Sequence, residues 1–165
     1  MYVIFALAPP SRWTTPRLAV RILRRHRAIA YRYLLVRLIR VIGRSTLYHV
    51  AVAHDGAVLQ ITLSGTQFWP FDAYLLAAPR LSHLYVVPTA NPINLDRYWS
   101  DGYKSPWPTV LRWASCGMTK PVHNCVDITA DAIRQAGYTP TRRIVSPRQL
   151  DHWLAAKGFA RVDLR

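Results

Sequence analysis

LYHVAVAHDGAVLQITL, residues 47–63, consists of two alternating runs joined through Asp55-Gly56. Alternation with a period of two marks strands lying on a core, and Asp-Gly between such runs is a strong local signal for a β-hairpin. Closing the hairpin on Asp55-Gly56 pairs Ala53 with Val58, Ala51 with Gln60 and His49 with Thr62. Val50, Val52, Leu59 and Ile61 then share an apolar face, while His49, Ala51, Gln60 and Thr62 share the other. Gln60 becomes the diagonal neighbour of His49, about 6 to 8 Å away at Cβ and within reach of a carboxamide side chain. Ala51 and Ala53 are small and leave room for another element to approach the His49 face.

Upstream, MYVIFALA (residues 1–8) has no basic segment before it and is closed by Pro9-Pro10, so it reads as a strand rather than a signal peptide. From Pro16 a helical region is expected, with Arg17, Arg21, Arg24, Arg25 and Arg32 on one side and Arg37 and Arg40 on the other. A break near Tyr33 divides it into two helices, the second ended by Gly43. Downstream, residues 83–87 read as a strand. Residues 88–124, rich in Pro and aromatics, read as irregular connections with a short helix near residues 95–99. Asn124 suits a helix N-cap, with Asp127 at the third helical position and Gly137 as the stop, so Cys125 lies in the first turn. Ser146-Pro147 starts a last helix that ends before Gly158, and residues 159–164 form a closing strand.

The 165 residues are 51% hydrophobic, which suffices for one packed domain and excludes disordered and collagen-like chains. Two cysteines cannot build a disulfide framework, so free thiols in a reducing compartment are expected. No internal repeat or low-complexity linker divides residues 1–165, read as one α+β domain. The longest apolar stretch, residues 28–43, is interrupted by Arg32, Arg37 and Arg40 and falls short of the roughly 20 apolar residues a membrane span needs. With neither span nor signal read, the expected location is the cytoplasm on synthesis.

Charge is the unusual feature. The 22 Lys and Arg against 8 Asp and Glu give a formal net charge of +14. Ten arginines lie in residues 12–44, ahead of the first acid, Asp55. Such a segment suits an anionic partner: nucleic acid, an anionic membrane face or an acidic protein. The plainer reading is a solvated basic face with no dedicated ligand.

A thiol in the first turn of a helix sits beside unpaired backbone N–H groups and the positive end of the macrodipole, which favours the thiolate. Cys125 is therefore the candidate nucleophile, His49 the base and Gln60 the residue that orients the ring. The competing readings are a buried structural Cys and a His satisfied within its sheet. His83 is the substitute base if the hairpin register differs. Cys116, His123 and Cys125 lack the C-x-x-C pair of a structural zinc site, and no phosphate-binding loop, dinucleotide fingerprint or G-x-S-x-G is present, so no cofactor is called for.

LIRVIGRSTLYHVAV, residues 38–52, resembles the "LIR, then T-x-S-x-Y-S-H-V" segment of circularly permuted NlpC-type papain-like cysteine hydrolases. Asn124-Cys125-Val126-Asp127, Ala136-Gly137-Tyr138 and Ser146-Pro147-x-x-Leu150 are similar to that group's "N-C-x-x", "A-G-Y" and "S-P-x-x-L" segments, and lecithin retinol acyltransferase-like proteins share the layout. The His hairpin precedes the Cys helix, the reverse of papain. The resemblance spans about residues 2–154 in short segments. It implies a permuted papain-like domain whose small antiparallel sheet packs against the Cys-bearing helix, with Cys125 as nucleophile, His49 as base and Gln60 as third polar residue. Two departures stand out: Tyr48 precedes His49 where many relatives have Ser, and the Arg-rich insertion is unusual.

Three functions are carried forward. The first is a cysteine peptidase or amidase that cleaves an amide through a thioester, with peptidoglycan peptides as the substrate class the resemblance implies. The second is a non-enzymatic assembly component reusing the fold, for example in a phage virion, with the Arg-rich segment facing nucleic acid or a partner protein. The third is lipid acyl transfer at an anionic membrane surface, where residues 18–42 would lie in the interface.

Overall fold

The computed structural model describes residues 1–7, 46–62, 65–78, 80–98, 124–141 and 144–164. The helices expected in the Arg-rich segment, and Cys116 and His123, lie outside the described residues. Six strands form one antiparallel sheet: β1 (Tyr2–Leu7), β2 (Leu47–His54), β3 (Ala57–Thr62), β4 (Gly65–Pro70), β5 (Leu81–Val86) and β6 (Ala160–Asp163). Their order across the sheet is β4-β3-β2-β1-β5-β6. Three helices accompany them, α1 (Phe71–Ala77), α2 (Cys125–Gln135) and α3 (Pro147–Ala156), with a short 3-10 turn at Asp96–Tyr98. The fold is α+β. Among the described residues no helix is long and apolar enough to cross a membrane.

The position of β1 explains its composition. It pairs with β2 on one side and β5 on the other, and both of its faces are covered, so Val3, Ile4 and Phe5 are all buried without alternation. Val3 and Phe5 join Val50, Val52, Leu59, Ile61 and Tyr85 in a core closed by Val126, Ala132 and Ile133 of α2 and by Leu150 and Leu154 of α3. On the opposite face Ile4, Ala51, Ala53, Val58 and Leu84 pack against Tyr74 of α1.

The hairpin forms as its residues dictate. Asp55 and Gly56 take φ of 48° and 76°, the left-handed pair that a two-residue turn of this type requires. Ala53 faces Val58 and Val52 faces Leu59, the register expected from the turn, but the ladder ends there, short of the expected pairs Ala51–Gln60 and His49–Thr62. One irregularity interrupts β2 at its start: Ala6 faces His49 but Leu7 faces Leu47, leaving Tyr48 as an extra residue. Such a bulge re-aims the chain locally, and it returns Leu47 to the face of Val50 and Val52.

Both long helices are set by their caps. Asn124 Oδ1 accepts from the amides of Val126 and Asp127 at 2.9 Å each. Gly137, at φ 95°, stops α2, and the Tyr138 amide bonds back to Ile133. Ser146 and Gln149 form a reciprocal capping box with Pro147 at the first helical position. β4 and α1 were not expected from the sequence. α1 is seven residues long and follows Pro70 without a side-chain cap, so it carries neither periodicity nor a start signal.

Six of the 22 bases and seven of the 8 acids fall among the described residues, so the positive excess is carried by the rest of the chain.

Leu154 is fully buried between α3 and the sheet. Leu154→Ala is expected to destabilise the domain by about 2 to 5 kcal/mol in urea unfolding, with the denaturant slope unchanged. A loss below about 1 kcal/mol would mean that α3 contributes little to the core.

Candidate functional site

Cys125 is the first residue of α2, and the cap on Asn124 fixes the direction in which that turn meets the sheet. α2 lies on the face of Val50, Val52, Leu59 and Ile61. The sulfur receives the backbone N–H of Val50, together with the amides of Val126 and of Cys125 itself. Val50 directly follows His49 on β2, but successive side chains of a strand point to opposite faces. The thiol therefore meets the strand on the face of Val50, while alternation puts the His49 ring with Ala51 and Ala53. The side chain of His49 is hydrogen-bonded to Gln60 across the hairpin. The Gln60 carboxamide in turn donates through Nε2 to Gln67 Oε1 at 3.0 Å, on the rung where β3 and β4 pair. On the His49 face α1 packs over β3 and β4, and its Tyr74 belongs to the cluster that holds Ala51 and Ala53. The cysteine helix takes the other face, not the space those alanines leave.

Burial dominates both titrations. It pushes the Cys125 thiol up to about 11, aided by the Asp127 carboxylate and only partly opposed by the amides of Val50, Val126 and Cys125. The helix terminus alone favours a thiolate; enclosure against the sheet outweighs it. Burial also lowers His49 to about 4, while the bond to Gln60 works the other way, as a carboxamide oxygen accepting the ring N–H does. At neutral pH the site thus holds a neutral thiol and a neutral imidazole. Backbone amides bond the thiol, and Gln60 bonds the ring.

His83, the substitute base, has a different setting. It is buried, with Nδ1 2.8 Å from Ser82 Oγ and Nε2 2.8 Å from Asp151 Oδ1. Tyr85 donates to the same carboxylate oxygen at 2.8 Å, and Phe5 stacks on the imidazole at 5.0 Å. Burial raises the Asp151 carboxyl, but the bonds from His83 and Tyr85 outweigh it and hold the group below its usual range. This cluster joins β5 to α3. Asp151 was not foreseen as its centre, since nothing in PRQLDHWLAA tells that its one Asp meets a distant strand.

A second polar cluster anchors the 3-10 turn to α2. Tyr98 donates to Asp131 and accepts from Gln135 Nε2 at 2.9 Å, while Arg97 lies 3.6 Å from the same carboxylate. Among the described residues no group of three His, Cys, Asp or Glu is placed to hold a metal ion. No family model, curated protein or solved structure matches this chain.

His49 titrates near 6.5 in an unfolded chain and near 4 in the folded one. Between those values the unfolded state holds more protons, so stability falls as pH is lowered, by up to about 3 kcal/mol. The urea midpoint is expected to drop between pH 7 and pH 4.5, and His49→Gln to remove most of that drop. A variant with the wild-type slope would assign the titration to another group.

Proposed function

We propose that this chain is a cysteine hydrolase with a permuted NlpC-type papain-like domain, cleaving an amide through a thioester. The observation that carries the reading is the Cys125 sulfur seated on the amide of Val50, one residue from a histidine whose ring is held by Gln60. Chain order supports it as well: the hairpin with its base precedes the helix with its nucleophile.

The neutral resting state selects the order of events. His49 is a neutral base at pH 7, and the proposal requires its ring, on the face of Ala51 and Ala53, to reach past β2 to the thiol, whose proton it takes as the sulfur attacks the carbonyl carbon. The C–S bond forms and the C=O pair moves onto oxygen. Collapse of that intermediate breaks the C–N bond, and the amine leaves with the proton from the imidazolium. Water, deprotonated by the same ring, then attacks the thioester and returns the thiol with release of the acid. Peptidic amides, peptidoglycan stem peptides among them, are the substrate class the resemblance favours. The Arg-rich residues 12–44 would hold an anionic partner.

The second reading, an assembly component reusing this fold, draws on the same neutral groups: a thiol pushed up to about 11 and an imidazole lowered to about 4, shifts opposite to those of an activated thiol–imidazole pair.

Turnover of a fluorogenic stem-peptide panel tests the choice. Cys125→Ala is expected to abolish hydrolysis with the unfolding midpoint unchanged, and His49→Ala to lower kcat about 100- to 10,000-fold. The acid limb of kcat/KM should fall near pH 4, because protonated His49 cannot accept the thiol proton. Equal hydrolysis by wild type and Cys125→Ala would overturn the proposal.

A further inference from the structure

We infer that the side-chain amide of Asn124 is the donor that holds the substrate's carbonyl oxygen while Cys125 is acylated. The inference rests on the cysteine-hydrolase reading and adds a residue to its machinery.

Asn124 is only 4% exposed. Its Oδ1 accepts from the amides of Val126 and Asp127, and since two N–H groups can meet only an acceptor, the oxygen and nitrogen of this carboxamide are assigned without ambiguity. The NH₂ limb therefore points away from those amides, on the residue that adjoins Cys125 in the chain. It is buried and, among the described residues, has no hydrogen-bond partner. Capping does not account for it, because Ser or Asp would cap the helix equally well without burying an unused donor. A buried donor left idle calls for an explanation, and an acceptor that arrives with the substrate supplies one.

The other donors of this turn are engaged. The amides of Cys125, Val50 and, shared with the cap, Val126 face the sulfur. Those of Val126 and Asp127 serve the cap, and the Ile128 amide bonds to the Asn124 carbonyl oxygen at 3.0 Å. When the sulfur attacks an acyl carbon, the C–S bond forms and the C=O pair becomes an oxyanion one bond from the new tetrahedral centre. Asn124 Nδ2, on the residue adjoining the nucleophile, is the unused N–H available to that oxygen. Collapse restores C=O and expels the leaving group, which takes its proton from the His49 imidazolium. The ligand class is thus the carbonyl oxygen of an amide or ester.

Two reagents separate this role from a structural one. p-Nitrophenyl acetate acylates a thiol through an oxyanion, whereas iodoacetamide alkylates it by displacing iodide without one. Both are applied to the full chain, with modification of Cys125 followed by mass spectrometry and unfolding midpoints measured alongside. Asn124→Asp keeps the cap and removes the donor; Asn124→Gly removes both without adding charge and costs the cap little. Acylation is expected to fall about 100- to 1,000-fold in both variants, with alkylation of Asn124→Gly staying near the wild-type rate. Acylation at the wild-type rate, or acylation and alkylation falling together in Asn124→Gly, would overturn the inference while leaving the hydrolase reading intact. A wild-type Cys125 that p-nitrophenyl acetate does not acylate would overturn both.

Discussion

The backbone amide of Val50, turned onto the sulfur of Cys125, joins parts of the chain that are far apart in sequence, and the candidate site exists only while it holds. It depends on three local structures at once. The Asp55-Gly56 turn sets the register that aims Val50 toward α2. The Asn124 cap sets the first turn from which the sulfur projects. The core beneath, from Val3 and Phe5 to Ile133 and Leu154, presses the helix onto the sheet. A slip of one residue in the hairpin would send Val50 to the other face and remove the contact.

Electrostatics around the thiol show competing effects and a clear winner. A helix N-terminus carries roughly half a positive charge, and three backbone amides face the sulfur, yet the thiol is raised rather than lowered. Enclosure is stronger because it removes water from every direction, whereas the amides stabilise the anion from one side. Asp127 adds to the effect. At the third helical position an acid favours the helix, but the same charge opposes a thiolate two residues away. The structure thus sets helix stabilisation against thiol ionisation, and the general-base transfer proposed for a neutral His49 starts from that balance.

Much of the framework was legible locally. The hairpin, the Asn124 and Ser146 caps, the stop at Gly137, the 3-10 turn and the closing strand each depend on residues within a few positions of one another, where turn and cap chemistry decide the backbone. β4 and α1 were not legible, because GTQFWP shows no period of two and α1 is too short for a period of 3.6. The bulge at Tyr48 was equally invisible, since it arises from the way β1 and β2 pair and not from either strand alone. The candidate groups themselves were readable as residue types, and the bond between His49 and Gln60 agrees with the diagonal spacing across the hairpin.

The amino-acid sequence by itself determined the hairpin register, the helix that begins at Cys125 and the side chains from which a site can be made, all set by short-range steric and hydrogen-bonding preferences. Tertiary structure alone decided which face α2 covers, that the thiol and imidazole are neutral, that His83 serves Asp151, and that one limb of Asn124 is buried unused. The reason is physical: desolvation and buried hydrogen bonding depend on every group enclosing an atom, and those groups come from strands and helices that no local stretch of chain contains.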